Sequence, residues 1–173
     1  MMPKSILWGV CIALCFIFSN CSSQTPPVAA TETTPSVIAA RNKAMTQRYY
    51  SQFSDHNPES PKCFAADFVD RIDPTIKGPE HIKIFNETMY KTWPDVKVTV
   101  EQIVGEGDWV MARCTATATH TNEVMGVKPT NKKVEITHWV VHHYNKDGLI
   151  IESWGMNDNA ALMQQLGLLP SKK

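Results

Sequence analysis

Apolar positions divide the chain into two regimes. Ile38, Met45, Tyr49 and Phe53 recur at helical spacing and keep one stripe apolar, which predicts an amphipathic helix packed on a core. Ser36 is its expected N-cap. His56-Asn57-Pro58-Glu59 breaks the run, and Ser60-Pro61 opens a shorter helical pattern from Lys62 to Phe68, with proline at the first helical position. Gly78-Pro79-Glu80 starts a further helix expected to bury Ile82, Phe85, Met89 and Trp93. From Pro94 the period becomes two. Val96-Lys97-Val98-Thr99-Val100 alternates as a half-buried strand, and Gly105-Glu106-Gly107-Asp108 turns into a long strand from Trp109 to Thr121. A loop from Asn122 to Lys133 precedes a strand to Tyr144, a turn at Asn145-Lys146-Asp147-Gly148 and a last strand to Met156. A helix over Asn159 to Leu166 closes the pattern at Gly167. Helices followed by a meander predict an α+β domain, with helices on one face of a curved antiparallel sheet.

The N-terminus follows other rules. Lys4 precedes an apolar run from Ile6 to Phe18 that is too short to span a bilayer but fits the h-region of a secretory signal. The run ends at Phe18-Ser19-Asn20-Cys21, which resembles a bacterial lipoprotein cleavage site with Cys21 as the lipidated residue, although Phe18 and Asn20 are unusual there. Ser22 to Pro35 is a Ser/Thr/Pro/Ala tether that cannot bury a core. The expected organisation is a signal peptide over 1–20, a lipidated cysteine and tether over 21–35, and one folded domain over 36–173. This places the domain in the bacterial cell envelope, anchored to the membrane through Cys21. Seventeen basic and seventeen acidic residues cancel, so no basic footprint points to nucleic acid. Cys63 and Cys114, the two cysteines beyond the signal region, fall in different element patterns and are expected as separate buried thiols.

The last hairpin carries the candidate chemistry. A three-residue loop ending in a left-handed Gly148 pairs Asn145 with Leu149, His142 with Glu152, Val140 with Trp154 and His138 with Met156. A two-residue loop would set His143 opposite Glu152 instead. The first register puts His138, His142, Glu152 and Trp154 on one face, with Asp158 continuing its parity. Imidazoles facing carboxylates suit proton transfer, and Trp154 would wall a flat ligand. The plainer reading is a hydrogen-bonded polar pair on a partly solvated sheet. His120 either joins a pocket or caps a loop, and Arg113 either lines a cavity, pairs with an acid or covers the outer face. Tyr49, on the apolar helical stripe, joins the ligand-facing set. His138 and His142 stand roughly 13 Å apart at ~3.3 Å per residue, too far to share an ion. No metal or cofactor is expected, and no nucleophile elbow or phosphate-cradling glycine loop occurs. Asp158 has two competing roles, N-cap and proton acceptor, because helix N–H groups that hold a carboxylate weaken it as a base.

These segments resemble the SnoaL-like polyketide cyclase family, particularly its ester-cyclase branch. The resemblance runs from Tyr49 to Pro170 through Gly78-Pro79-Glu80, Trp93-Pro94-Asp95, Gly107-Asp108-Trp109, Thr119-His120-Thr121, Asp147-Gly148-Leu149, Glu152-Ser153-Trp154, Asp158 and Gln165-Leu166-Gly167. It implies a cone-shaped, nuclear transport factor 2-like α+β fold around a central pocket, and cofactor-free ring closure by an intramolecular aldol reaction. Asp158 matches the family's acid–base aspartate and His120 the histidine of its Thr-His motif; His138 and His142 both remain open for its second pocket histidine. Ala118, Asn131 and Arg71 depart from the family pattern. Export fits poorly with a cytoplasmic polyketide intermediate, so the expected substrate is a small carbonyl or ester compound. Two further readings stand beside the enzyme: a non-catalytic small-molecule binding module, and a structural domain that forms homodimers through its sheet.

Overall fold

A computed structural model describes residues 34–75 and 77–170. The expected signal peptide, Cys21 and the tether before Thr34 lie outside the described residues. Helix α1 (Pro35–Ser54) is capped by Thr34, not Ser36: the Thr34 hydroxyl accepts the Val37 N–H at 3.4 Å and Pro35 occupies the first turn. A single 3-10 turn, Ser60–Cys63, then leads into β1 (Phe64–Asp70). The helix expected over Lys62–Phe68 is therefore mostly strand. After α2 (Gly78–Thr92) come β2 (Lys97–Glu106), β3 (Trp109–Thr119), β4 (Lys133–Tyr144), β5 (Ile150–Asn157) and α3 (Asn159–Gln165).

The sheet order is β1-β5-β4-β3-β2. The β2 to β5 meander is antiparallel, as its turn chemistry demands, while β1 joins the β5 edge in parallel, so the sheet is mixed. Among the described residues, three α-helices serve a cone-like α+β architecture, and one sheet face is covered. That face carries Val110, Ala112 and Cys114 of β3 and Val140, His142 and Tyr144 of β4, packed with Tyr49, Tyr50 and Phe53 of α1. Small side chains, Ala112, Cys114 and Ala118, recur on the inward face of β3 and let the helix and sheet backbones approach closely.

Two expected positions shift. In α2, Phe85 is 44% exposed, while Asn86 is buried and donates to the Ser60 hydroxyl at 2.9 Å. The last hairpin has the expected turn, with Asn145 N–H donating to Leu149 O and Gly148 N–H to Asn145 O. A bulge follows directly. Tyr144 pairs with Ile150 but His143 pairs with Glu152, leaving Ile151 unopposed. The register beyond the turn is thus displaced by one residue, and a one-residue slip moves every side chain to the other face.

Candidate active site

The displaced register separates the residues that the sequence grouped together. His142 now faces Ser153, and His138 faces Asn157, all on the covered side. Glu152 and Trp154 lie on the outer side, with His143 and Trp109.

The covered side holds a three-residue relay. Asn157 Oδ1 accepts from His138 Nδ1 at 2.8 Å, and Tyr50 Oη lies 2.8 Å from His138 Nε2. An amide oxygen only accepts, so the ring proton sits on Nδ1 and Nε2 offers its lone pair to the Tyr50 hydroxyl. Burial lowers the His138 pKa, against a smaller opposing effect from the Asn157 bond, so the ring is a neutral base at neutral pH. Burial raises the Tyr50 phenol well above its ordinary value, which keeps it a proton donor. His138 is half-buried and Asn157 exposed, so the relay lies where the covered face meets solvent. Cys114, opposite His138 on β3, is buried, and its thiol is pushed up to about 11, so it is not a thiolate nucleophile at neutral pH. Cys63 and Cys114 are both free and buried, as expected from their separate elements.

His142 lies deeper. Burial drives its pKa down to about 3, and neither ring nitrogen has a hydrogen-bond partner among the described residues. His120 is also fully buried; its Nδ1 lies 3.0 Å from the Thr130 hydroxyl, its Nε2 has no partner among the described residues, and its ring tilts against Trp93. It shares the inward parity of Cys114 and Ala118 but sits at the far end of β3, away from the relay. Each enclosed imidazole nitrogen without a partner costs about 1–3 kcal/mol.

Asp158 is exposed and serves the helix. Its Oδ1 accepts the Ala161 N–H at 2.9 Å, at the N-cap of α3. Asp158→Ala should therefore lower stability by about 1 kcal/mol, and Asp158→Asn, which keeps an accepting oxygen, by only a few tenths. Chemical denaturation of both variants checks this; equal losses would remove the capping role.

Residues 43–166 match the SnoaL-like polyketide cyclase family. The chain belongs to this family. Solved structures agree with the assignment. AclR from Streptomyces galilaeus, a candidate hydroxylase, is 27% identical over 78% of this chain and 90% of its own, with a TM-score of 0.69. IdmH from Streptomyces antibioticus, a candidate polyketide cyclase, is 29% identical over 73% and 98%, with a TM-score of 0.64. A candidate polyketide cyclase from Bacillus cereus is 29% identical over 75% and 82%, with a TM-score of 0.61. No curated protein sequence matches the chain.

The outer face of this SnoaL-like domain holds the other expected residues. Arg71 pairs with Glu152, whose second oxygen lies 3.2 Å from His143 Nδ1, while His143 Nε2 lies 3.2 Å from Asp108. Trp109 stacks on His143 at 4.2 Å, and the Arg71 guanidinium lies 6.0 Å from the Trp154 ring centroid. Arg113 bonds Gln102 at 3.2 Å on the same face. These side chains satisfy one another and do not meet the relay. Tyr49, expected to face a ligand, is buried in an aromatic cluster with Tyr50, Phe53 and Phe64. Sequence reasoning passed over Tyr50 and Asn157. The only signal for Tyr50 was its adjacency to Tyr49, and the only signal for Asn157 was the bulge that gives it inward parity.

Proposed function

We propose that this SnoaL-like domain, as an ester-cyclase-type member, performs cofactor-free acid–base chemistry on a small carbonyl or ester compound. The Tyr50–His138–Asn157 relay carries this reading. A carbonyl compound entering at the half-buried mouth takes the Tyr50 O–H onto its oxygen, which frees His138 Nε2 to accept the α-proton. The C–H bond breaks, an N–H bond forms, and the phenol holds the enolate oxygen. Asn157 keeps the ring in the tautomer that exposes Nε2. Asp158 stands at the same mouth, but its Oδ1 is engaged with the helix, so the proton is assigned to His138.

The test needs no natural substrate. Incubated in D2O with 1-tetralone, the protein should accelerate loss of the α-proton NMR signal over buffer alone. Binding of the ketone with no acceleration would sink the catalytic reading and leave the non-catalytic binding module, which the unpartnered nitrogens of His142 and His120 favour.

We further propose that the chain is exported and anchored through a lipid on Cys21, and that the domain forms homodimers through its outer sheet face. The charged start, the apolar Ile6–Phe18 run and the Ser22–Pro35 tether support the first. The second is supported by exposed Val104, Trp109, Met111, Trp139 and Met156, and by an open groove of about 380 Å3 that Val104, Trp109, Met111 and Val141 line. The native chain expressed in a bacterium should fractionate with membranes. Cys21→Ala should be released and sediment at twice its chain mass; retention on the membrane, or a monomer, refutes the corresponding half.

A further inference from the structure

Beside His138, strand β5 carries no side chain. Gly155 pairs with Val140 and lies between Ser153 and Asn157 on the covered face. Among the described residues, a Cβ at Gly155 would meet one atom within 4 Å, His138 Cε1 at 3.4 Å, the ring carbon bonded to Nε2. That is an ordinary van der Waals contact, so a methyl fits there without displacing the ring. Glycine inside a strand weakens it and marks a place where a ligand or another backbone comes close. Gly78, Gly107, Gly126, Gly148 and Gly167 hold positive φ angles, which disfavour other residues, and at Gly105 a Cβ would press on the Trp109 carbonyl oxygen at 3.2 Å. Gly155 has neither a positive φ nor another strand's backbone against it. The fold does not require a glycine at this position.

The sheet is also open here. Strand β1 accompanies β5 only as far as Asp70 opposite Ser153, and beyond that pair no described strand covers the β5 edge. Gly155 and His138 are accordingly half-buried and Asn157 is exposed, whereas Ser153 is buried. Tyr50 bonds Nε2 and Asn157 bonds Nδ1, so the Cε1 edge between the two nitrogens is the part of the ring that faces Gly155.

We infer that Gly155 is a specificity-determining residue: the space its missing side chain leaves receives a substituent on the substrate's α-carbon as that carbon reaches His138 Nε2. This rests on the acid–base reading of the relay and names the substrate class within it, carbonyl compounds substituted at the α-carbon. A methyl at position 155 would fill that space, while neither ring nitrogen comes within 4 Å of it, so the base and its hydrogen bonds persist.

A matched pair of ketones tests this by α-proton exchange in D2O: 1-tetralone and 2-methyl-1-tetralone, which differ by one methyl on the α-carbon. Wild-type protein should accelerate both. Gly155→Ala should lower kcat/KM for the methylated ketone by about tenfold or more and for 1-tetralone by less than about threefold, since one methyl's worth of room decides between them. The acid limb of the pH profile should stay where it is in wild-type protein, and the melting temperature should hold or rise, as alanine in place of glycine restricts the unfolded chain. Equal losses for both ketones, no loss for either, a displaced acid limb or a lower melting temperature overturns the inference and leaves the acid–base reading intact. So does wild-type protein that accelerates 1-tetralone alone. No acceleration of 1-tetralone by wild-type protein overturns both.

Discussion

Replacing His138 with Gln should lower the rate of α-proton exchange by roughly 10²–10⁴-fold, the usual contribution of a positioned general base. Gln can still accept from Tyr50 and donate to Asn157, so the fold and its hydrogen bonds persist while the proton acceptor is gone. Tyr50→Phe should cost about 10²–10³-fold by a different route, since it removes the donor aimed at the developing enolate oxygen. The pH profile separates the two. His138 must be neutral to act, and burial sets its pKa below the ordinary 6.5. Wild-type exchange should therefore be level through neutrality and fall only as acid protonates the ring, below that ordinary value. The Tyr50→Phe rate should keep the same acid limb at lower height. If exchange survives in His138→Gln but vanishes in Asp158→Asn, the base is Asp158, as the family resemblance implied. The melting temperatures of the variants show whether any loss merely follows unfolding.

The sequence revealed the architecture more readily than the site. The meander was legible because Val96, Val98 and Val100 alternate with polar neighbours, because Val, Thr and Ala fill the run from Trp109 to Thr121, and because Asn145-x-Asp147-Gly148 permits few turns. β1 was not, because Phe64 and Phe68 are four residues apart, a spacing that suits one face of a helix and one face of a strand equally. Its parallel partner lies some eighty residues away (Phe64 opposite Ile150), beyond any local pattern. The expected hairpin register differed at a single residue. Turn chemistry fixes a loop but not a bulge, and the unopposed Ile151 exchanged Glu152 and Trp154 for Ser153 and Asn157 on the covered face. His138 and His142 kept their inward positions because the bulge lies in β5, so the imidazoles survived and their expected carboxylate partner did not. Tyr50 was hidden by the stripe that disclosed Tyr49. Neighbouring helical residues point about 100° apart, and both tyrosines are buried because the covered face of α1, which carries Ala39, Asn42, Thr46 and Phe53, is wide enough to hold both.

Phe68→Ala should be the most destabilising single truncation in the β1 region, at about 3–5 kcal/mol. Phe68 is 0% exposed, and its ring meets that of Phe64 edge-on at 4.8 Å. Phe64 in turn packs against Tyr49 at 4.9 Å and faces His142. Removing the Phe68 ring leaves a cavity at the end of this aromatic series, where strand β1 is held to the sheet on one side only, by β5. Against a total stability of about 5–15 kcal/mol, the loss is large, and it should lower the melting temperature by on the order of 10–20 °C. Alanine is also a poor strand former, so Asp67→Ala, an exposed change in the same strand, provides the correction and should cost less than about 1 kcal/mol. Phe68→Leu fills most of the space and should cost less than about 1.5 kcal/mol. If Phe68→Ala and Asp67→Ala shift the melting temperature equally, the Phe68 ring is not enclosed, and the packing of β1 against the aromatic floor beneath His142 is wrong. If the loss is large and graded by side-chain volume, the Phe68 ring is enclosed against Phe64, and the exposed Asp67 and buried Phe68 lie on opposite faces of β1.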